Sequence, residues 1–176
     1  FFSQNYFAPF NQFEQEVLNL DSDLYNKDPN FIVIHNMLED MYPDLVENFY
    51  KYDTKELEII SNQMLNRYQR ILTSLRNSTV SNIIVINFSI VSVDTSDVIY
   101  STLRQVQIKY IQDINQKLLL LCNEINACYM IDYMNIVSKI GVENWIDRRL
   151  YFLARIPYTV RGQIEFSKMI VKTIYS

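Results

Sequence analysis

Phe31-Ile32-Val33-Ile34 is an unbroken apolar run between a turn signal, Lys27-Asp28-Pro29-Asn30, and a polar cluster from Asn36 to Asp40. A strand with apolar residues on both faces needs cover on both faces, as in a parallel sheet beneath helices. Two further runs have the same character: Ile83-Ile84-Val85-Ile86, closed by Asn87, and Ala127 to Ile131, closed by Asp132. Strands are therefore expected at about 31–36, 82–88 and 127–132, with a fourth extended candidate at 5–9 that ends at Pro9.

Helical patterns fill the intervals. Gln12 to Leu20 carries Phe13, Val17 and Leu20 at helical spacing, with Asn11 as N-cap. Asp21 to Asp23 opens another turn of helix or a loop, and Asp40 to Tyr50 is weakly helical, with Pro43 near its start. Thr54 is the expected cap of a strongly amphipathic helix, whose Leu57, Ile60, Met64, Tyr68, Ile71 and Leu75 recur at steps of three and four. A second long helix is expected over 101–124, and a short one over 133–140, stopped by Gly141. Residues 142–155 read as helix or irregular chain, and Thr159 caps a last helix. Strands alternating with helices, joined by long crossovers, imply an α/β fold: a three-layer sandwich, mainly parallel sheet with helices on both faces, SGNH/flavodoxin-like in type. The 176 residues read as a single domain, without repeats or a low-complexity tract.

Composition excludes several classes. Two glycines rule out glycine-rich phosphate loops and dinucleotide fingerprints. A net charge of −4 offers no electrostatic case for nucleic acid. No stretch approaches the roughly 18 apolar residues of a membrane span. The spacing of Cys122 and Cys128 fits neither a metal nor a redox motif, so they are expected as free buried thiols in a reducing compartment, the cytoplasm. Two sequons, at Asn77 and Asn87, read as accidental. The chain begins without Met or a signal peptide, and we expect a fragment of a larger protein.

Ligands of open α/β sheets bind beyond the carboxyl ends of the strands. There the sequence places Asn36, Glu39, Asn87 and Asp132, together with Asn11 from the loop after the first extended segment. Each has an ordinary alternative as a helix cap or a core hydrogen-bond partner. His35 is the only histidine, so any Ser–His–Asp constellation must use it, and a hydrogen-bonded structural role is its simpler reading. One His and two separated Cys cannot build a zinc site. The segment Trp145-Ile146-Asp147-Arg148-Arg149-Leu150-Tyr151 mixes aromatic and charged groups. Trp145 can offer a flat face, and Arg149 a fork for a carboxylate or phosphate. Alternatively Trp145 is core and Arg149 pairs with Asp147 or Asp132.

Two stretches resemble a known family. The first runs Ala8-Pro9-Phe10-Asn11-Gln12-Phe13-Glu14-Gln15-Glu16-Val17-Leu18, then Asp21 to Tyr25, then Asp28-Pro29-Asn30-Phe31-Ile32-Val33-Ile34. The second is Ile131-Asp132-Tyr133 with Trp145 to Pro157. Both resemble the amino-terminal module of FkbH-like proteins. The resemblance implies an SGNH (GDSL-like) hydrolase-type domain ahead of a phosphatase-like domain of the HAD superfamily. It also implies work in loading glyceryl units onto carrier proteins, or in polysaccharide or polyketide assembly. The hydrolase residues do not carry over: the Gly position falls near Phe10-Asn11, the Asn position on Glu39, and the Asp-x-x-His position on Leu153 to Ile156. The strand bearing the nucleophilic Ser would precede Phe1.

The expectation is thus a non-catalytic docking or substrate-binding module, with no catalytic residue, metal or cofactor of its own. Its partners would be a downstream HAD phosphatase-like domain and an acyl carrier protein. The alternative is an active SGNH-type esterase or acyl hydrolase. The absent strand is expected inside the sheet, supplied by upstream chain or by another molecule.

Overall fold

The computed structural model describes residues 5–9, 12–89, 98–147, 149–150, 153 and 158–175. Its elements in chain order are α1 (Phe13–Leu18), α2 (Asp23–Asn26), β1 (Phe31–Ile34), α3 (Leu38–Met41), α4 (Pro43–Glu47), a 3-10 turn (Phe49–Lys51) and α5 (Thr54–Ser78). There follow β2 (Asn82–Ile86), α6 (Val98–Asn123), β3 (Cys128–Ile131), α7 (Tyr133–Ile140), α8 (Val142–Trp145) and α9 (Val160–Ile174). The three strands form one parallel sheet in the order β1-β2-β3. Phe31 pairs with Asn82 and Ile83 with Cys128.

The apolar runs form strands because each face has its own cover. Ile32, Ile34, Ile83, Val85 and Cys128 pack with Met64, Tyr68, Ile71 and Leu72 of α5 and with Ile111, Ile114 and Leu118 of α6. Ile84, Ile86 and Ile131 face the other way, toward Tyr133, Ile136, Val137, Trp145 and Tyr158. Each fully buried Ile or Leu contributes about 1.5–3 kcal/mol. The second cover is narrower: Val33 is 39% exposed and Tyr129 52% exposed. The result is a helix-rich α/β fold around a small sheet. Glu14 pairs with Arg67 and holds α1 on α5.

Several expectations are corrected. Asn5–Pro9 forms no strand; it is irregular and largely exposed, held by Tyr6 Oη donating to Glu16 at 2.8 Å. Among the described residues no strand lies beside it to pair with. The three strands are contiguous, so no gap lies between them, and among the described residues both outer strands, β1 and β3, have an unpaired edge. Asn82 N–H donates to Asn30 O at 2.9 Å, and strand alternation therefore turns the amides of Phe31 and Val33 away from β2. No described strand lies on that side. The paired registers end at Ile34, Ile86 and Ile131, just before the polar residues, although Asn87 N–H still donates to Ile131 O at 3.2 Å.

The segment from 40 to 50 breaks into α3, α4 and the 3-10 turn, with Pro43 opening α4, where a missing N–H costs nothing. Asn11, expected to cap α1, and the loop expected over 91–97 lie outside the described residues. So does most of the run from 148 to 157. Thr159 does cap α9, its Oγ1 accepting from Gly162 N–H at 2.9 Å.

The cap of α5 is Asp53, one residue before the expected Thr54. Its carboxylate accepts from Glu56 N–H, and Glu56 returns a bond to Asp53 N–H, both at 2.8 Å. Asp53→Ala should therefore cost about 1 kcal/mol in urea unfolding, while Thr54→Ala should stay within about 0.5 kcal/mol of the parent. Equal losses, or a larger loss at Thr54, would place the cap elsewhere.

Candidate functional site

The carboxyl ends of the three strands meet at one edge, and the chain leaving each strand carries polar groups. After β1 come His35 and Asn36, after β2 Asn87, and after β3 Asp132 and Tyr133. Glu39 follows on α3 and is half-buried.

Asn87 is 5% exposed and uses both ends of its amide. Nδ2 donates to Asp132 Oδ1 at 3.2 Å, and Oδ1 accepts from Tyr133 N–H at 2.7 Å. The same Asp132 oxygen accepts from Met134 N–H at 3.0 Å and caps α7. A second amide, buried Asn115 of α6, clamps Phe88: it accepts from Phe88 N–H at 2.9 Å and donates to Phe88 O at 2.8 Å. The exit from β2 is thus held from both layers. Asn36 Nδ2 donates to the hydroxyl of Tyr68, a buried residue of α5, at 3.1 Å.

His35 enters an aromatic cluster. Its ring lies 5.9 Å from that of Tyr133, 6.0 Å from Tyr158 and 5.0 Å from Phe166, measured between centroids. Nε2 is hydrogen-bonded to the Tyr158 hydroxyl, while Nδ1 is buried without a hydrogen-bond partner among the described residues. Burial lowers the imidazole pKa from 6.5 to about 4, so the ring is neutral near pH 7. Burial also pushes the hydroxyls of Tyr133 and Tyr158 upward, helped by the nearby negative charge of Glu39, so both phenols stay protonated.

Trp145 is fully buried at the centre of this cluster, and its indole N–H donates to Tyr133 Oη at 2.6 Å. It therefore has no face turned to the edge, and its part is packing. Gly162 of α9 comes so close that an added Cβ would lie 2.8 Å from the Trp145 carbonyl oxygen. Thr159 N–H donates to that same carbonyl at 3.0 Å, fastening α9 to α8.

Of the residues expected at the site, Asn36, Glu39, Asn87 and Asp132 are thus brought to one edge, and Trp145 lies beneath it. Arg149 is exposed and makes no ion pair among the described residues. Asp147, considered as its partner, instead accepts from Leu150 N–H at 2.9 Å. Asn11 is outside the described residues.

Sequence reasoning missed Tyr133, Tyr158 and Phe166. Tyr158 reaches His35 across 123 residues, and no local pattern signals such a pairing. The sequon at Asn87 is inaccessible. Cys122 and Cys128 are buried and free. Among the described residues no group of three His, Cys, Asp or Glu could hold a metal, and no helix is long and apolar enough to cross a membrane. A hollow of about 360 Å³, lined by Tyr25, Pro29, Ile32, Arg76 and Val80, lies at the opposite end of the strands.

The family model described as FkbH, N-terminal domain, matches residues 4–174. No curated protein matches the chain. Among solved structures, the N-terminal part of the protein BF1531 from Bacteroides fragilis, described as containing a phosphatase domain complexed with Mg, matches with a TM-score of 0.63 at 16% identity. The match covers 90% of this chain and 40% of that one, so the likeness is one of fold, and the chain spans less than half the length of the solved protein.

Asn87→Ala would orphan the buried Tyr133 N–H and release Asp132 from its amide partner. We expect a loss of about 1–3 kcal/mol in chemical unfolding. A variant within about 0.5 kcal/mol of the parent would show that the latch carries no load.

Proposed function

We propose, from the chain's membership in the FkbH N-terminal domain family, that it is a non-catalytic binding module. On this reading it presents a substrate or a carrier protein to a HAD-type phosphatase domain elsewhere in the same protein. The chemistry is acyl or glyceryl transfer, in polysaccharide or polyketide assembly. The observation that carries this reading is the state of His35. It is the one imidazole in the chain, its Nε2 is occupied by Tyr158 rather than by a serine hydroxyl, and burial lowers its pKa and so weakens it as a base. Serine hydrolysis needs a base in contact with its nucleophile, and no described serine is hydrogen-bonded to His35.

The architecture we propose for the complete module is the SGNH-type three-layer sandwich, with one further strand beside β1, one of the two unpaired edges. That strand would come from upstream chain or from another molecule. We take the binding surface to be the strand edge with Asn36, Glu39 and Asp132, joined by Arg149, while Asn87 and Trp145 hold its shape. An exposed guanidinium combined with amide and carboxylate groups would suit a polar acyl or phosphorylated group.

A second reading, an active esterase or acyl hydrolase, is favoured by one observation. His35 Nδ1 is buried without a partner at the end of a strand whose outer edge is open. A group arriving on an adjacent strand could meet it there.

Ester hydrolysis by the parent and by His35→Ala separates the two readings. We expect no turnover above background in either; turnover abolished by His35→Ala would establish the hydrolase. Titration with glycerate and with inorganic phosphate tests the surface. Arg149→Ala should weaken binding while leaving Tm nearly unchanged, since the side chain is exposed. Undiminished binding by this variant would remove Arg149 from the site.

A further inference from the structure

The last helix, α9, carries two apolar stripes whose centres lie about 135° apart on a wheel of 100° per residue. Its inner face places Phe166, Met169, Ile170 and Ile174 against the aromatic cluster. Its outer face carries Val160, Ile164 and Val171, which are 70%, 49% and 51% exposed, and Tyr175, 73% exposed, just past its end. On a helical wheel of 100° per residue these four fall within about 60° of one another, a single stripe along the helix. Gln163, Ser167 and Lys168 complete a shallow groove along it. A helix apolar on both faces is ordinarily covered on both.

We propose that this outer stripe is the seat of the polypeptide that follows Ser176. On the functional reading above, from which the inference borrows its occupant, that polypeptide is the phosphatase-type domain. Three observations favour it over a second copy of the chain. First, the solved relative is a single chain that this one covers by only 40%, and it is described as containing a phosphatase domain. Second, the stripe runs to Tyr175, so a chain continuing past Ser176 leaves from the end of the surface it would cover. Third, the stripe is small. Fifteen residues rise about 22 Å, and a face about 10 Å wide would bury roughly 500 Å² counted over both partners. That is well below the roughly 1,200 Å² of a stable interface between free chains. A tethered domain needs far less, because its effective concentration is in the millimolar range.

The test uses the protein with its natural continuation. Cys122 and Cys128 are buried, so a thiol introduced at Ile164→Cys or Val171→Cys is the accessible reporter, and Val80→Cys, at a site 91% exposed, is the reference. We expect alkylation at 164 and 171 to be at least about tenfold slower than at 80, with the difference unchanged on hundredfold dilution. A thiol-to-amine cross-linker placed at 164 should join to residues beyond Ser176 of the same chain. Equal rates at all three positions would overturn the inference. So would protection that disappears on dilution, or cross-links confined to residues 1–176 of a second copy. Magnesium-dependent hydrolysis of p-nitrophenyl phosphate by the same protein is a separate readout. Its absence with intact cross-links would strike the functional reading and leave the docking surface standing.

Discussion

A buried amide must find partners for both its donor and its acceptor, and the way Asn87 meets that demand sets the geometry of the strand edge. Its side chain receives Tyr133 N–H and donates to Asp132, fixing where β3 ends and where α7 begins. Tyr133 then stands at the centre of the second layer, where it accepts the Trp145 indole N–H and packs against His35, Tyr158 and Phe166. Helices α7, α8 and α9 owe their position to this one junction and to the aromatic packing built on it. The opposite layer is secured more conventionally, by the long apolar faces of α5 and α6.

The same network decides what the edge can do. A catalytic edge keeps polar groups available and poised; here Asn87, Asp132 and Asn36 are engaged with the protein itself. His35 is embedded among rings and held neutral by burial. Among the described residues, what stays open is peripheral: the exposed Arg149, the free edges of β1 and β3 and the outer stripe of α9. These are features of a surface that meets other groups, and they are the support for the binding module we propose.

Much of the scaffold could be read from residue order, because continuous apolar runs have few other uses. The three strands and both long helices follow from that pattern, as does the cap at Thr159. Residues 5–9 show where the logic stops: an extended apolar segment becomes a strand only beside a partner. The cap of α5 was legible in principle, since Asp53 and Glu56 have the spacing of a reciprocal cap, but the neighbouring Thr54 was an equally good acceptor by type. At the edge, residue type and position identified Asn36, Asn87 and Asp132 but could not tell engaged groups from free ones. Trp145 illustrates the difficulty. A Trp among charged residues suggests a surface platform, yet the close approach of α9 at Gly162 encloses it. The link from His35 to Tyr158 depends on tertiary structure alone.

The neutral, enclosed state of His35 is the most direct measure of this account. Because its folded pKa lies below the ordinary value, the unfolded chain takes up the proton first as pH falls. His35 therefore withdraws stability between about pH 6.5 and 4 and has no effect above that window. As the only histidine it gives a single, unambiguous imidazole signal in an NMR titration of the folded protein. A midpoint near 4, with no inflection between 6 and 7, is the predicted result. A midpoint at or above the ordinary value of 6.5 would mean that a negative group stabilises the imidazolium, as in a catalytic dyad, and would contradict it.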